Sequence, residues 1–150
     1  MNNLFDIKAV DHYIDRINSL SHTSQRQWGK MDVAQMFTHC QKPFLIADGT
    51  LVIKPNKIIR FLFAKKAKKT LLSGAPFKKN LPTFPEAIIV DKKEFEKEKI
   101  ALVNTIKNFH KNGLPGVKTL DHPFFGEMTP ETWNILLTAH LNHHLQQFGA

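Results

Sequence analysis

Five stretches of this 150-residue chain space their apolar residues three and four apart, and almost none alternates them at two. That spacing is helical, so each stretch carries an apolar stripe that must be buried against another helix. Residues 6–20 place Ile7, Val10, Ile14 and Ile17 on one such stripe. A second helix is expected from Met31–Asp32 to a stop at Gly49, with Pro43 inside it. That proline removes the N–H that would bond the carbonyl of His39, which predicts a kink beside the histidine. A third helix, amphipathic and running over 55–72, has Pro55 at its start and Gly74 past its end, the usual polarity of the two residues. A fourth opens at Asp91 with Glu94 three residues on, a capping-box spacing. It carries Phe95, Leu102, Val103, Ile106 and Phe109 and ends at Asn112-Gly113. The last spans 130–148 behind Thr129-Pro130, a cap followed by proline in the first turn. Residues 73–90, with Pro76, Pro82 and Pro85, read as a long irregular connection in which 87–90 could form a short strand without an obvious partner. The expectation is an all-α single domain over 1–150, a four-helix bundle with one additional short helix.

The rest of the composition narrows the class. With 42% hydrophobic and 23% charged residues the chain is globular in character. No apolar run approaches the roughly 20 residues of a spanning helix, and the charged N-terminus does not read as a signal peptide. A single cysteine, Cys40, excludes an internal disulfide and fits a reducing cytoplasm. The net charge of +8 is densest at Lys65, Lys66, Lys68 and Lys69, where a solvated helical face accounts for it as simply as an acidic partner does. No nucleic-acid motif accompanies that charge, and there is no P-loop, GxSxG or GxGxxG.

Histidine is the residue type with chemistry to offer. His140 and His144 stand one turn apart in the last helix, close enough to share a metal ion. With His140 at zero and about 100° per residue, His144 falls at about 40°, Trp133 at about 20° and Leu137 at about 60°. The pair therefore points inward, with His143 at the edge of the same face. His39 shares its face with Gln35, Met36, Pro43 and Ile46 and points inward too. Buried imidazoles need partners, and two answers stay open: hydrogen bonds to neighbouring side chains, or one metal held by three ligands with a position left over. His12, His22 and His110 read as structural. His122, in a loop before the last helix, could reach the mouth of such a site or simply anchor a turn with Phe124 and Phe125. Cys40 adjoins His39 but diverges from it by about 100°, so the two form no thiolate–imidazole pair.

At these residues the chain resembles a known group. WGKMDVAQMFTH over 28–39 is similar to a tryptophan followed by a helix that ends in a first metal-ligating histidine. HLNHHLQQF from His140 is similar to a closing motif of two histidines four apart with a glutamine three residues on, here Gln147. HPFFGEMTPETW, from His122, matches a signature of one branch. The group is the DinB/YfiT-like superfamily of metal-dependent enzymes, and the branch is one of bacterial proteins of unknown function. Leu145-Gln146 stands where the more usual motif has Arg-Gly. The resemblance implies an up-down-down-up four-helix bundle with His39, His140 and His144 as ligands of a divalent metal. It implies Gln147 beside them, and homodimers are frequent among such bundles. Its characterised relatives include isomerases and S-transferases that use low-molecular-weight thiols.

Two functions follow. One is a metal-dependent transferase or hydrolase with zinc or nickel on three histidines, acting on a small molecule such as a thiol; His122, His143 and Gln147 are the further candidates for contact with substrate or ligands. The other is a non-catalytic basic helical module that binds an acidic partner or, less expected, nucleic acid, through Lys65–Lys69, its histidines structural. Neither needs a membrane, and nucleic acid is not an expected partner.

Overall fold

Four of the five helices begin where a polar side chain satisfies orphan backbone amides. The computed structural model describes residues 3–150. In α1 (Ile7–Asn18) the Asp6 carboxylate accepts from the Lys8 amide. In α2 (Val33–Ala47) Asp32 and Gln35 form a reciprocal capping box with contacts of 2.8 and 2.9 Å. Asn56 caps α3 (Lys57–Leu72), and Thr129 caps α5 (Pro130–Gln147), with Pro130 in its first turn. The exception is α4 (Phe95–Asn112), which has no side-chain cap. The sequence placed its start at Asp91 with a capping box to Glu94; the helix instead begins at Phe95 with Glu94 as the cap residue. Asp91 is otherwise engaged, its carboxylate on Lys93 and its carbonyl on Gln35 Nε2.

These helices make an all-α bundle with an additional helix, as the spacing of apolar residues predicted. Helix α2 lies chiefly against α4 and also against α5, while α1 packs on α4 and α5. The core between them is aromatic and aliphatic: Tyr13 and Ile17 from α1, Met36 and Phe37 from α2, Leu102 and Ile106 from α4, Trp133, Leu137, Leu141 and Leu145 from α5, all inaccessible to solvent. Burying each side chain of this size stabilises the fold by about 1.5–3 kcal/mol. No helix among the described residues is long and apolar enough to cross a membrane.

Helix α3 departs from its predicted amphipathic character. Only Leu71 is buried, and Ile58, Phe61 and Leu62 are 73%, 88% and 61% exposed. Apolar residues predominate in its first two turns, the lysines follow at 65, 66, 68 and 69, and Leu71-Leu72 close it, so no single face is apolar. Polar ties hold it to the rest instead: the Arg60 guanidinium on Asp121 and the Lys68 ammonium on the carbonyl of Glu127. Lys68 is thereby removed from the expected solvated cluster.

The connections also differ from expectation in two places. Residues 87–90 form no strand; a 3₁₀ turn at Pro85–Ala87 precedes an extended segment with Ile88 and Val90 exposed. A short antiparallel hairpin, β1 (Asp121–His122) with β2 (Gly126–Glu127), is the only sheet among the described residues. Two residues per strand are too few for a periodicity to register in sequence. Gly126, at φ 74°, supplies the left-handed step that the turn requires.

Candidate metal centre

The packing of α2 on α5 brings three imidazoles to one point. His39 comes from the middle of α2, and His140 and His144 come from successive turns of α5. Their ring centroids are 4.9, 4.7 and 4.5 Å apart. One ring nitrogen from each lies within 4.8 Å of the others, an arrangement that could hold a metal ion. His39 Nε2 and His140 Nε2 are 3.0 Å apart. Helix α2 runs unbroken through Pro43, so the histidine sits on continuous helix one turn before the proline.

The outward nitrogens of two rings are fixed by hydrogen bonds that decide their tautomers. His39 Nδ1 is 2.7 Å from the carbonyl oxygen of Ala87. A carbonyl only accepts, so Nδ1 carries the proton and Nε2 keeps its lone pair. His144 Nδ1 lies 2.8 Å from Gln147 Oε1, and Gln147 Nε2 donates at 2.7 Å to the carbonyl of Trp28. That second bond fixes which end of the amide is oxygen, so His144 also donates from Nδ1 and presents a bare Nε2. With His39 Nε2 bare, His140 Nε2 is the donor in the contact between them; a cation would replace that proton with both lone pairs. Ligand rings held by their far nitrogens are the usual arrangement around protein metals.

Gly29 makes the Gln147 contact possible. Its φ of 81° is left-handed, and a Cβ there would fall on Gln147 Nε2. Any larger residue would thus displace the amide that orients His144.

Electrostatically the cluster is basic throughout. Burial lowers the pKa of His39, with Lys42 adding to the effect and the Ala87 hydrogen bond opposing it. His140 is driven well below the usual imidazole range by burial and by the other histidines, and His144 is pushed down to about 3, chiefly by burial. The rings are therefore neutral near pH 7, the form that binds metal. None of the charges acting on them is a carboxylate.

The remaining candidates fall in different places. His143 is half-buried at the rim, its ring 5.0 Å from His144, 5.5 Å from Trp28 and 5.9 Å from Phe77. Gln147 is the buried orienting amide already described. His122 stands apart from the triad in the hairpin, buried against Phe84, Phe125 and Trp133. Its Nδ1 accepts from the amides of Phe124 and Phe125 at 3.0 and 3.1 Å, which is the turn anchor weighed from sequence. Cys40 faces the core, its thiol directed at Met36 Sδ and its pKa raised by burial. Sequence reasoning missed the carbonyl of Ala87 and the side chain of Lys79, whose ammonium lies 4.3 Å from the centre of the Trp28 ring. A backbone acceptor leaves no residue-type signal, and Lys79 was one lysine among many.

Comparison with known proteins adds a family and no activity. No curated protein and no solved structure matches the chain. A family model described as "Protein of unknown function (DUF1569)" matches residues 1–150, and the chain belongs to that family.

Proposed function

We propose that this protein is a metal-dependent enzyme of the DinB/YfiT-like kind, with His39, His140 and His144 holding one divalent ion, zinc or nickel. The observation that carries the reading is the pair of second contacts, Ala87 to His39 and Gln147 to His144, which leave two Nε2 lone pairs directed at the same point as His140. The His140 Nε2–H can serve the His39 lone pair alone, whereas a cation would serve both lone pairs and His140 together. Three imidazoles suit zinc and nickel and leave a position for water or a substrate thiol. When bound, the ion would supply Lewis acidity and lower the pKa of that ligand toward neutrality. His143, neutral because burial lowers its pKa, stands at the rim as a base for the departing proton. The reaction class is transfer or hydrolysis on a small molecule.

Metal analysis of protein purified under mild conditions tests this. The wild type is expected to carry close to one divalent ion per chain, and His140→Ala close to none. Equal and negligible metal in both, after incubation with zinc and with nickel, would overturn the proposal.

Gln147 gives a finer test. Gln147→Leu removes the acceptor for His144 and the donor to Trp28 while keeping an apolar side chain of similar size. Loss of an orienting partner of this kind weakens metal affinity about 10–100-fold. Competition with a chromophoric chelator should show that loss. Wild-type affinity in the leucine variant would mean that the amide does not orient the ligand.

A further inference from the structure

A dication held by three neutral imidazoles keeps its full charge, and this cluster has no carboxylate to balance it. At its rim stands a cation: the Lys79 ammonium lies 4.3 Å from the centre of the Trp28 ring, which is itself 5.5 Å from the His143 ring. The half-buried His140 and His143 mark the side of the cluster open to solvent. On that side the segment after α3 supplies a wall, with Phe77 against the His143 ring and Lys79 over Trp28. Asn80 follows in a left-handed conformation (φ 58°), with its side chain beside Gly29. The ion pairs among the described residues are Arg60–Asp121 and Lys93–Asp91, so no carboxylate of those residues takes the Lys79 ammonium. It is exposed and positioned by the face of Trp28, the same ring that His143 packs against.

We infer that Lys79 and His143 form an oxyanion subsite at the mouth of the histidine cluster, and that the substrate is a small molecule bearing a carboxylate or phosphate. The inference rests on the metal-centre reading for its position beside the reacting group, but the subsite itself is built from residues that are not ligands. Lys79 neutralises and orients the anionic group, His143 donates to it, and Trp28 keeps the ammonium from swinging into solvent. A neutral analogue would lose that anchor and compete poorly.

Calorimetric titration of the zinc-loaded protein with inorganic phosphate, propionate and the uncharged propionamide tests this, with Trp28 fluorescence as a second signal. Phosphate or propionate is expected to bind, and propionamide at least tenfold more weakly. Lys79→Ala should weaken the better anion by at least tenfold with zinc content unchanged, and Lys79→Arg should recover most of the loss. Anion affinity unaltered in Lys79→Ala, or equal affinity for propionamide, would overturn the subsite. Should the wild type take up no zinc, the metal reading fails separately. Binding of the same anions to the metal-free protein with the same dependence on Lys79 would then support the subsite, and its absence would overturn it.

Discussion

Zinc added to the chelator-stripped protein at about 100 times its dissociation constant is expected to stabilise the fold by about 2.7 kcal/mol, because only the folded chain holds the three imidazoles together. For a domain of this length each kcal/mol moves the melting temperature by roughly 2–4 °C, so a rise of about 5–10 °C should be seen. His140→Ala should abolish the rise, since two remaining nitrogens cannot replace the affinity of three. His144→Ala should do the same and also strand the Gln147 oxygen, lowering the metal-free melting temperature. His39→Ala removes the donor to Ala87 and should behave alike. The comparison is made by differential scanning calorimetry with zinc and with chelator. A wild-type melting temperature indifferent to zinc and nickel, or a His140→Ala variant that rises as the wild type does, would contradict the assignment.

Acid should unfold the metal-free protein early. His122 and His144 have their pKa values pushed down to about 3 by burial, against an ordinary 6.5, and His39 and His140 are lowered too. Between about pH 6.5 and 3 the unfolded chain binds protons that the folded chain refuses. Stability is therefore complete above the upper limit and falls as pH descends through the window. Within it, each such ring costs the fold about 1.36 kcal/mol for every step of one in pH. His122 and His144 together then account for a loss of roughly 5 kcal/mol between neutrality and about pH 4.5. That is comparable to the whole stability of many domains. His122→Asn separates the contributions, because an amide oxygen can accept from Phe124 and Phe125 without titrating. Its melting temperature should fall less steeply with acid than the wild type's. A wild-type melting temperature constant from pH 7 to 4.5 in the presence of chelator would show that these rings are not buried neutral in solution.

The helices were legible because all but α3 have a stripe and most have a cap. Thr129, read as a cap, and the glycines and prolines near the ends marked boundaries to within a residue or two; the capping role of Asp32 came from the structure. The failures share a cause, which is that tertiary partners decided the outcome. Asp91 has the right spacing to cap a helix, but its carboxylate takes Lys93 and its carbonyl takes Gln35, so α4 starts later. Residues 87–90 have strand-forming side chains, yet no described strand lies alongside to pair with them, and the Ala87 carbonyl is engaged by His39. In α3 a count of apolar residues concealed their distribution along the axis. The inward direction of His39, His140 and His144 followed from rotation alone. Their convergence did not, because it depends on α2 and α5 being neighbours. The residues that tune the site were the least visible, since one acts through its backbone and Lys79 is set only by the ring it stacks on.

The contact between His39 and His140 joins positions 101 residues apart. An ion gripped there would tie the two ends of that span together in the folded chain and be released on unfolding, so its stabilisation would grow with metal concentration, where that of a covalent link is fixed. A chain with one cysteine has no covalent means of making such a link. The order of events follows from the same fact. Helix α5 alone offers two of the three ligands, so the full ligand set exists only once α2 has docked on it.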